Sequence, residues 1–258
     1  MSLSQRIIKM TLEYDGTYYA GWQRQANARS VQQTVEEAIQ RYLGEDLRIT
    51  ASGRTDAGVH AMGQVISFPI VSGIPADAMG RGLSSHLPRD IAVTDSVDAP
   101  LDFDARRSAR MRWYRFFLSN RRVRPAVASQ FLTHIPQALD LDKMEKAAEI
   151  LTGEHDFKAF RSTACTATRT KLTMQPIQIT PLQSNVIQVD FRCRSFLHNM
   201  VRILTGTLTA AGRGKITPAE IEAMLETGVR HPHAVTVPPH GLFLWHVSYE
   251  ENFTRTDT

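Results

Sequence analysis

Ser52-Gly53-Arg54-Thr55-Asp56-Ala57-Gly58-Val59-His60-Ala61-Met62-Gly63 sets a lone acid between two glycines, two positions after an arginine and four before a histidine. Glycine admits backbone angles and close approaches that a side chain forbids. Strand-like residues 47–52 precede the stretch and 64–68 follow it, so Asp56 is predicted on a tight loop between two strands. Aspartate is also a common turn residue that braces its own backbone. Asp56 is therefore either a brace or a reagent, and the surrounding pattern decides between them.

Upstream, residues 6–14 alternate Ile8, Met10, Leu12 and Tyr14 with Lys9, Thr11 and Glu13, the period of a half-buried strand. Asp15-Gly16-Thr17 then turns the chain. A helix is predicted over 30–43, where Ser30 and Gln33 read as a capping-box pair. Val31, Val35, Ala38, Ile39 and Tyr42 share its apolar face, and Gly44 stops it. A second helix over 76–86 and a strand over 91–97 complete the first half.

Downstream, residues 110–118 read as a strand and 141–151 as a helix closed by Gly153. Residues 172–180 and 185–193 look like a hairpin. A helix over 196–211 buries Met200, Ile203, Leu204 and Leu208. Thr217-Pro218-Ala219-Glu220 opens a last helix with a capping threonine, proline at the first position and glutamate three after the cap. Residues 242–249 close the chain as a strand. These elements predict two α+β halves of mostly antiparallel strands, 1–105 and 106–258. No low-complexity linker separates them, so they are expected to share a sheet or pack firmly.

At 258 residues the chain has ample material for a core. Its net charge is only +4, so partners are inferred from where the charge lies. Between 106 and 124 there are eight arginines and no acid, with Trp113, Tyr114, Phe116 and Phe117 interleaved. Such a stretch points to phosphate contacts and base stacking, or to a basic exposed strand. Cys165 and Cys193 are isolated and form no paired spacing, which argues against a disulfide framework and for a reducing compartment. The start, Met1-Ser2-Leu3-Ser4-Gln5-Arg6, lacks the apolar core of a signal peptide. No apolar run reaches membrane-spanning length, and a soluble cytoplasmic protein is expected.

Several chemistries lack their residues. His231 and His233 have no HExxH, cysteine pair or carboxylate cluster beside them, so no metal site is expected. Neither GxxxxGK[ST] nor GxGxxG occurs, and GxSxG is missing. Asp56 retains the option of direct nucleophilic attack. A phosphatase would want a DxDx[TV] setting, and a two-carboxylate glycosidase a second positioned acid. A single aspartate near arginines, in a chain with a nucleic-acid-like basic stretch, points to chemistry on a nucleotide.

The segment from Gly53 to Ala61, continuing Gly63-Gln64-Val65, resembles the signature of the TruA family of tRNA pseudouridine synthases. Tyr14-Asp15-Gly16-Thr17 with Gly21-Trp22-Gln23 and Gln25 is similar to its opening motif. Asp102-Phe103-Asp104-Ala105-Arg106 and Arg112-Trp113-Tyr114-Arg115 are similar to its central motif. Phe196-Leu197, Met200-Val201-Arg202 and Gly206 resemble its C-terminal helix, and Gly241-Leu242 its final strand. The chain departs modestly at Ala51-Ser52, Trp113 and Asp104.

The resemblance implies the pseudouridine synthase fold: two related, ferredoxin-like (RRM-like) α+β halves joined in one extended, mainly antiparallel sheet. It implies a cofactor-free isomerisation of uridine at positions 38, 39 and 40 of the tRNA anticodon stem-loop by a homodimer. Asp56 is then the nucleophile, attacking either the uracil ring or the ribose. Arg202 pairs with it and keeps it ionised. Tyr114 stacks on the target base and assists proton removal from the ring carbon. Arg54 holds the extruded nucleotide, Leu242 lines the base pocket, and Arg110 and Arg112 contact substrate within the basic stretch. The rivals are an RNA chaperone without chemistry, a glycosidase or nucleosidase that releases free base, and a synthase with other target uridines.

Overall fold

In the computed structural model, which describes residues 4–250, β1 spans Arg6–Tyr14 as the alternation predicts. Residues 1–3 of the start read above lie outside the described residues. Ile8, Met10, Leu12 and Tyr14 are buried, while Lys9, Thr11 and Glu13 are half-buried. α1 (Val31–Leu43) starts at Ser30, whose hydroxyl accepts from the Gln33 N–H at 3.3 Å. The reciprocal half of the predicted capping box is not made. Gln33 turns its amide forward to Glu37 Oε1 at 2.8 Å, a charged acceptor one helical turn on. Val31, Val35, Ala38 and Ile39 are buried as expected. Tyr42 is half-buried, with its ring 5.2 Å from that of His86.

β2 is only Thr50–Ala51, shorter than the predicted 47–52, and pairs antiparallel with β3 (His60–Ile70). α2 (Ala76–Ser84) and β4 (Ile91–Ala99) follow. β1 lies between β3 and β4, antiparallel to both, with Ile8 opposite Phe68 on one side and Asp98 on the other.

Next come β5 (Met111–Ser119), β6 (Thr133–His134), α3 (Leu141–Leu151) and β7 (Gly153–Asp156). Asp140 caps α3 by accepting from the Lys143 N–H. The predicted strand 172–180 is two strands, β8 (Lys171–Met174) and β9 (Gln178–Leu182). Pro176 lies in the gap, and proline brings no N–H to a ladder. β9 forms the antiparallel hairpin with β10 (Val186–Cys193), whereas β8 meets β10 only at Met174 opposite Cys193.

α4 runs Met200–Gly212, four residues later at its start than predicted. Asn199 sits at φ 61° before it, so the first apolar residues of the pattern, Phe196 and Leu197, belong to the approach. Met200, Ile203, Leu204 and Leu208 are buried. α5 (Pro218–Thr227) carries the predicted capping box in full: Thr217 accepts from Glu220 N–H, and Glu220 accepts from Thr217 N–H at 2.7 Å. β11 (Leu242–Ser248) closes the chain and pairs parallel with β3, Phe243 opposite His60 and Leu244 opposite Ala61.

The fold is α+β, with two compact units drawn from Met1–Arg110 with Phe243–Thr258, and from Met111–Leu242. The first holds the strand order β4-β1-β3-β11 with β2 at the side of β3. The second holds β5-β10-β8-β7, with β6 on β5 and β9 on β10. In the second unit, β5 pairs antiparallel with β10 along its length, from Ser119 opposite Val186 to Arg112 opposite Cys193. Cys165 and Cys193 are both free thiols. No helix among the described residues is long and apolar enough to cross a membrane.

Candidate active site

Asp56 is half-buried, between buried Thr55 and exposed Ala57, on the loop from β2 to β3. Of its two flanking glycines, Gly58 adopts positive φ, 74°, a region costly for any residue with a Cβ. Gly53 instead contributes its carbonyl, which accepts from the Gln64 side chain at 2.8 Å. Gln64 is fully buried and also bonds Ser52 Oγ at 2.7 Å. The consecutive loop residues Ser52 and Gly53 are thus pinned to Gln64 of β3.

The end of β1 and the segment after it grip the loop from another side. Tyr14 Oη lies 2.8 Å from Thr55 Oγ1, both groups buried. Trp22 N–H donates to Thr55 O at 3.0 Å, and Gly58 N–H donates to Tyr19 O at 3.3 Å. Gly16 approaches so closely that a Cβ there would sit 2.0 Å from the Val59 carbonyl oxygen. Its N–H donates to His60 Nδ1 at 3.1 Å. That nitrogen is also 3.1 Å from Asp15 Oδ1. An Nδ1 that accepts from Gly16 has no proton to give, so Asp15 is satisfied instead by the N–H and hydroxyl of Thr17. His60 is fully buried and stacks on Phe243, ring centroids 4.7 Å apart. The motif Tyr14-Asp15-Gly16-Thr17 and the pair Gly21-Trp22 thereby act as a mould for the Asp56 loop, a role that their spacing in sequence does not reveal.

Glu36 is a further support that sequence reasoning missed. It is 2% exposed on α1, and its carboxylate takes Arg24 at 3.1 Å, Arg48 at 2.8 Å and Gln32 at 3.0 Å. These contacts tether the segment after Trp22 and the residues entering β2. Its neighbours Val35 and Ala38 belong to the apolar face, which was the available signal: the charge sits inside a buried arc.

Arg54 is exposed on the same loop. The remaining predicted residues lie on the second unit. Tyr114, on β5, is 7% exposed and meets the Phe196 ring edge-on at 5.0 Å. Arg202, in the first turn of α4, donates to Val237 O and to Asn199 Oδ1, each at 2.9 Å. Residues 196–199 therefore touch Tyr114 at one end and Arg202 at the other. Leu242 is buried after Gly241, whose carbonyl accepts from Phe117 N–H at 2.8 Å.

The basic stretch splits into two kinds of arginine. Arg106, Arg107, Arg110, Arg121, Arg122 and Arg124 are exposed. Arg112 is buried and donates to the carbonyl of Arg194. Arg115 makes a two-pronged pair with buried Asp190, at 2.8 and 3.2 Å, and Asp190 also accepts from Trp113 Nε1 at 2.9 Å. Trp113 is stacked under the guanidinium groups of Arg115 and Arg192, 4.8 and 4.2 Å from its ring centroid. Trp113, Tyr114 and Phe116 are buried and Phe117 is half-buried. No group of three or more potential metal ligands occurs among the described residues. His231 instead faces Glu220 at 3.5 Å.

These features define an α+β protein that presents a half-buried carboxylate on a loop moulded by its own main chain, with exposed cations nearby in sequence. A family model described as tRNA pseudouridine synthase matches residues 10–106 and 147–250. A tRNA pseudouridine synthase A from Caldicellulosiruptor bescii is 41% identical over 244 residues, 95% of this chain and 100% of the relative. The proteins of that name from Syntrophotalea carbinolica and Pelobacter propionicus are 44% and 43% identical, over 94% and 95% of this chain and 96% and 100% of their own. The chain belongs to the tRNA pseudouridine synthase family, isomerases that convert uridine to pseudouridine.

Proposed function

We propose that this isomerase acts on uridines 38, 39 and 40 of the tRNA anticodon stem-loop, with Asp56 as its nucleophile. The observation that carries the reading is the moulded loop: three separate segments hold it on both sides of one half-buried carboxylate. A carboxylate used only to brace a turn does not need such support. Asp56 attacks as the anion, the N–C bond between base and ribose breaks, and the uracil turns and rejoins through carbon. The same atoms leave as arrived, so no oxidant or group donor is consumed.

In this reading Arg202 pairs with Asp56. Tyr114 stacks on the target base and assists removal of the proton from the ring carbon, a step that restores the C5–C6 double bond. Arg54, exposed beside the acid, holds the nucleotide after it leaves the stack, at a cost of a few kcal/mol offset by such contacts. Leu242 closes the base pocket. Among the basic residues, exposed Arg110 has a side chain accessible to phosphate, and Arg112 contributes to substrate binding from its buried position on β5. The enzyme works as a cytoplasmic homodimer on a ligand recognised by shape and phosphate charge.

Mapping pseudouridine in an unmodified tRNA transcript treated with the protein tests the assignment. Modification confined to 38–40 supports it. Modification elsewhere identifies a synthase with other targets, and release of free uracil identifies a glycosidase.

A further inference from the structure

Tyr18 is 81% exposed, the one aromatic ring among the large exposed hydrophobic side chains of the described residues. An exposed tyrosine alone is ordinary. Its anchorage is not. Residues 15–20 are fixed along their length: Asp15 N–H to Asp90 O at 2.9 Å, Gly16 N–H to His60, Tyr19 N–H to Gly16 O at 3.0 Å, and Ala20 N–H to Arg29 O at 2.9 Å. The next residue, Tyr19, is buried and donates its hydroxyl to Asp90 at 2.8 Å, and its carbonyl takes Gly58 N–H. Tyr18 is thus one residue from a direct main-chain bond to the Asp56 loop, yet leaves its own ring to solvent.

The neighbouring segments carry cations. Arg54 and residues 23–29, with Arg24 and Arg29, are exposed, and the Arg29 guanidinium lies 5.0 Å over the Tyr19 ring. Cations to meet phosphate and an aromatic face to meet a base are the two components of single-strand recognition. Tyrosine presents that face at low cost, because only two side-chain torsions are lost on contact. Extruding a uridine also uncovers the face of the adjacent base.

We propose that Tyr18 is a binding residue that stacks on a nucleotide next to the target uridine, a role that rests on the tRNA-directed activity proposed above. The anchored turn holds the ring at a fixed offset from the nucleophile loop, so the contact registers the strand as well as binding it.

The test is steady-state kinetics and equilibrium binding with unmodified tRNA transcripts, comparing wild type, Tyr18→Ala and Tyr18→Phe. Tyr18→Ala is expected to raise KM about tenfold, the typical worth of one stacked base. It should leave kcat, the melting temperature and the slope of log Kd against log salt unchanged, since no phosphate contact is lost. Tyr18→Phe should match wild type. A transcript made abasic at the stacked nucleotide should weaken wild type by the same factor and Tyr18→Ala no further. Wild-type activity with an unchanged KM in Tyr18→Ala overturns this role alone, as do additive losses at every flanking abasic position. Absence of pseudouridine with wild-type protein overturns the proposed function and this role with it.

Discussion

The Tyr14 hydroxyl lies 2.8 Å from the Thr55 hydroxyl, in a buried contact that joins the end of β1 to the residue before the candidate nucleophile. Tyr14 is 4% exposed and its ring also packs 6.1 Å from that of Trp22. Tyr14→Phe keeps the ring and removes the one oxygen. It should lower stability by about 1–2 kcal/mol, the cost of a buried hydroxyl losing its partner. Turnover should fall more than tRNA affinity, because Thr55 sets the position of Asp56 and not the phosphate contacts. Chemical denaturation and a separate kcat and Kd measurement check both halves.

Gly16→Ala tests the mould more severely. The added Cβ would stand 2.0 Å from the Val59 carbonyl oxygen, a backbone atom that cannot swing aside. The two segments must separate, at about 1–3 kcal/mol for overpacking of this kind. The Gly16 N–H to His60 bond is then stretched as well. The expected outcome is a folded protein with sharply reduced kcat, read by circular dichroism beside activity.

Two buried carboxylates should respond differently to removal. Asp190→Ala removes the carboxylate that pairs with the guanidinium of Arg115, whose side chain is 16% exposed. That situation costs about 3–5 kcal/mol. Glu36→Ala strands Arg24 and Arg48, but their side chains are 43% and 63% exposed and water takes over. Its loss should cost about 1.5–3 kcal/mol, the range of hydrogen bonds to a charged group. Urea midpoints of the two variants, compared at one pH, decide the order; equal losses would contradict it.

The α5 cap makes part of the stability depend on pH. Hydrogen bonds from the Thr217 N–H and hydroxyl hold the Glu220 carboxyl below its ordinary value of 4.5. The folded state therefore releases this proton more readily than the unfolded state. The stabilisation is fully present above about pH 4.5 and is lost as pH falls through the lower folded value. Glu220→Gln should destabilise the protein at pH 7, and the gap from wild type should close on acidification. Urea unfolding at several pH values between 7 and 3 gives the comparison.

Much of this architecture is legible in the chain because local chemistry dictates it. β1 follows from a strict alternation, and the start of α5 from threonine, proline and glutamate at fixed offsets. The Asp56 loop is legible because glycines and an acid interrupt strand-like residues. What stayed hidden depends on distant partners. The arginines of β5 read as a uniform basic run, yet Arg115 meets Asp190, 75 positions away and directly opposite in the β5–β10 register. Glu36 is held by Arg24 and Arg48, which arrive from loops on either side. The opening motif quotes easily as residues, but its function is to fit Gly16 and Trp22 against the backbone of Thr55 and Val59. The delayed start of α4 depends on Asn199 at φ 61°, a conformation that an apolar periodicity continuing from Phe196 does not signal.

The most direct test of the central claim uses unmodified tRNA transcript carrying tritium at carbon 5 of its uridines, incubated with wild-type protein and with Asp56→Asn. Formation of the carbon–carbon link at that position releases the label to water while the tRNA chain stays intact. Release by wild type and none by Asp56→Asn is the predicted result. Equal release by both would contradict Asp56 as the nucleophile, and no release by either, with tRNA binding retained, would contradict the proposed chemistry.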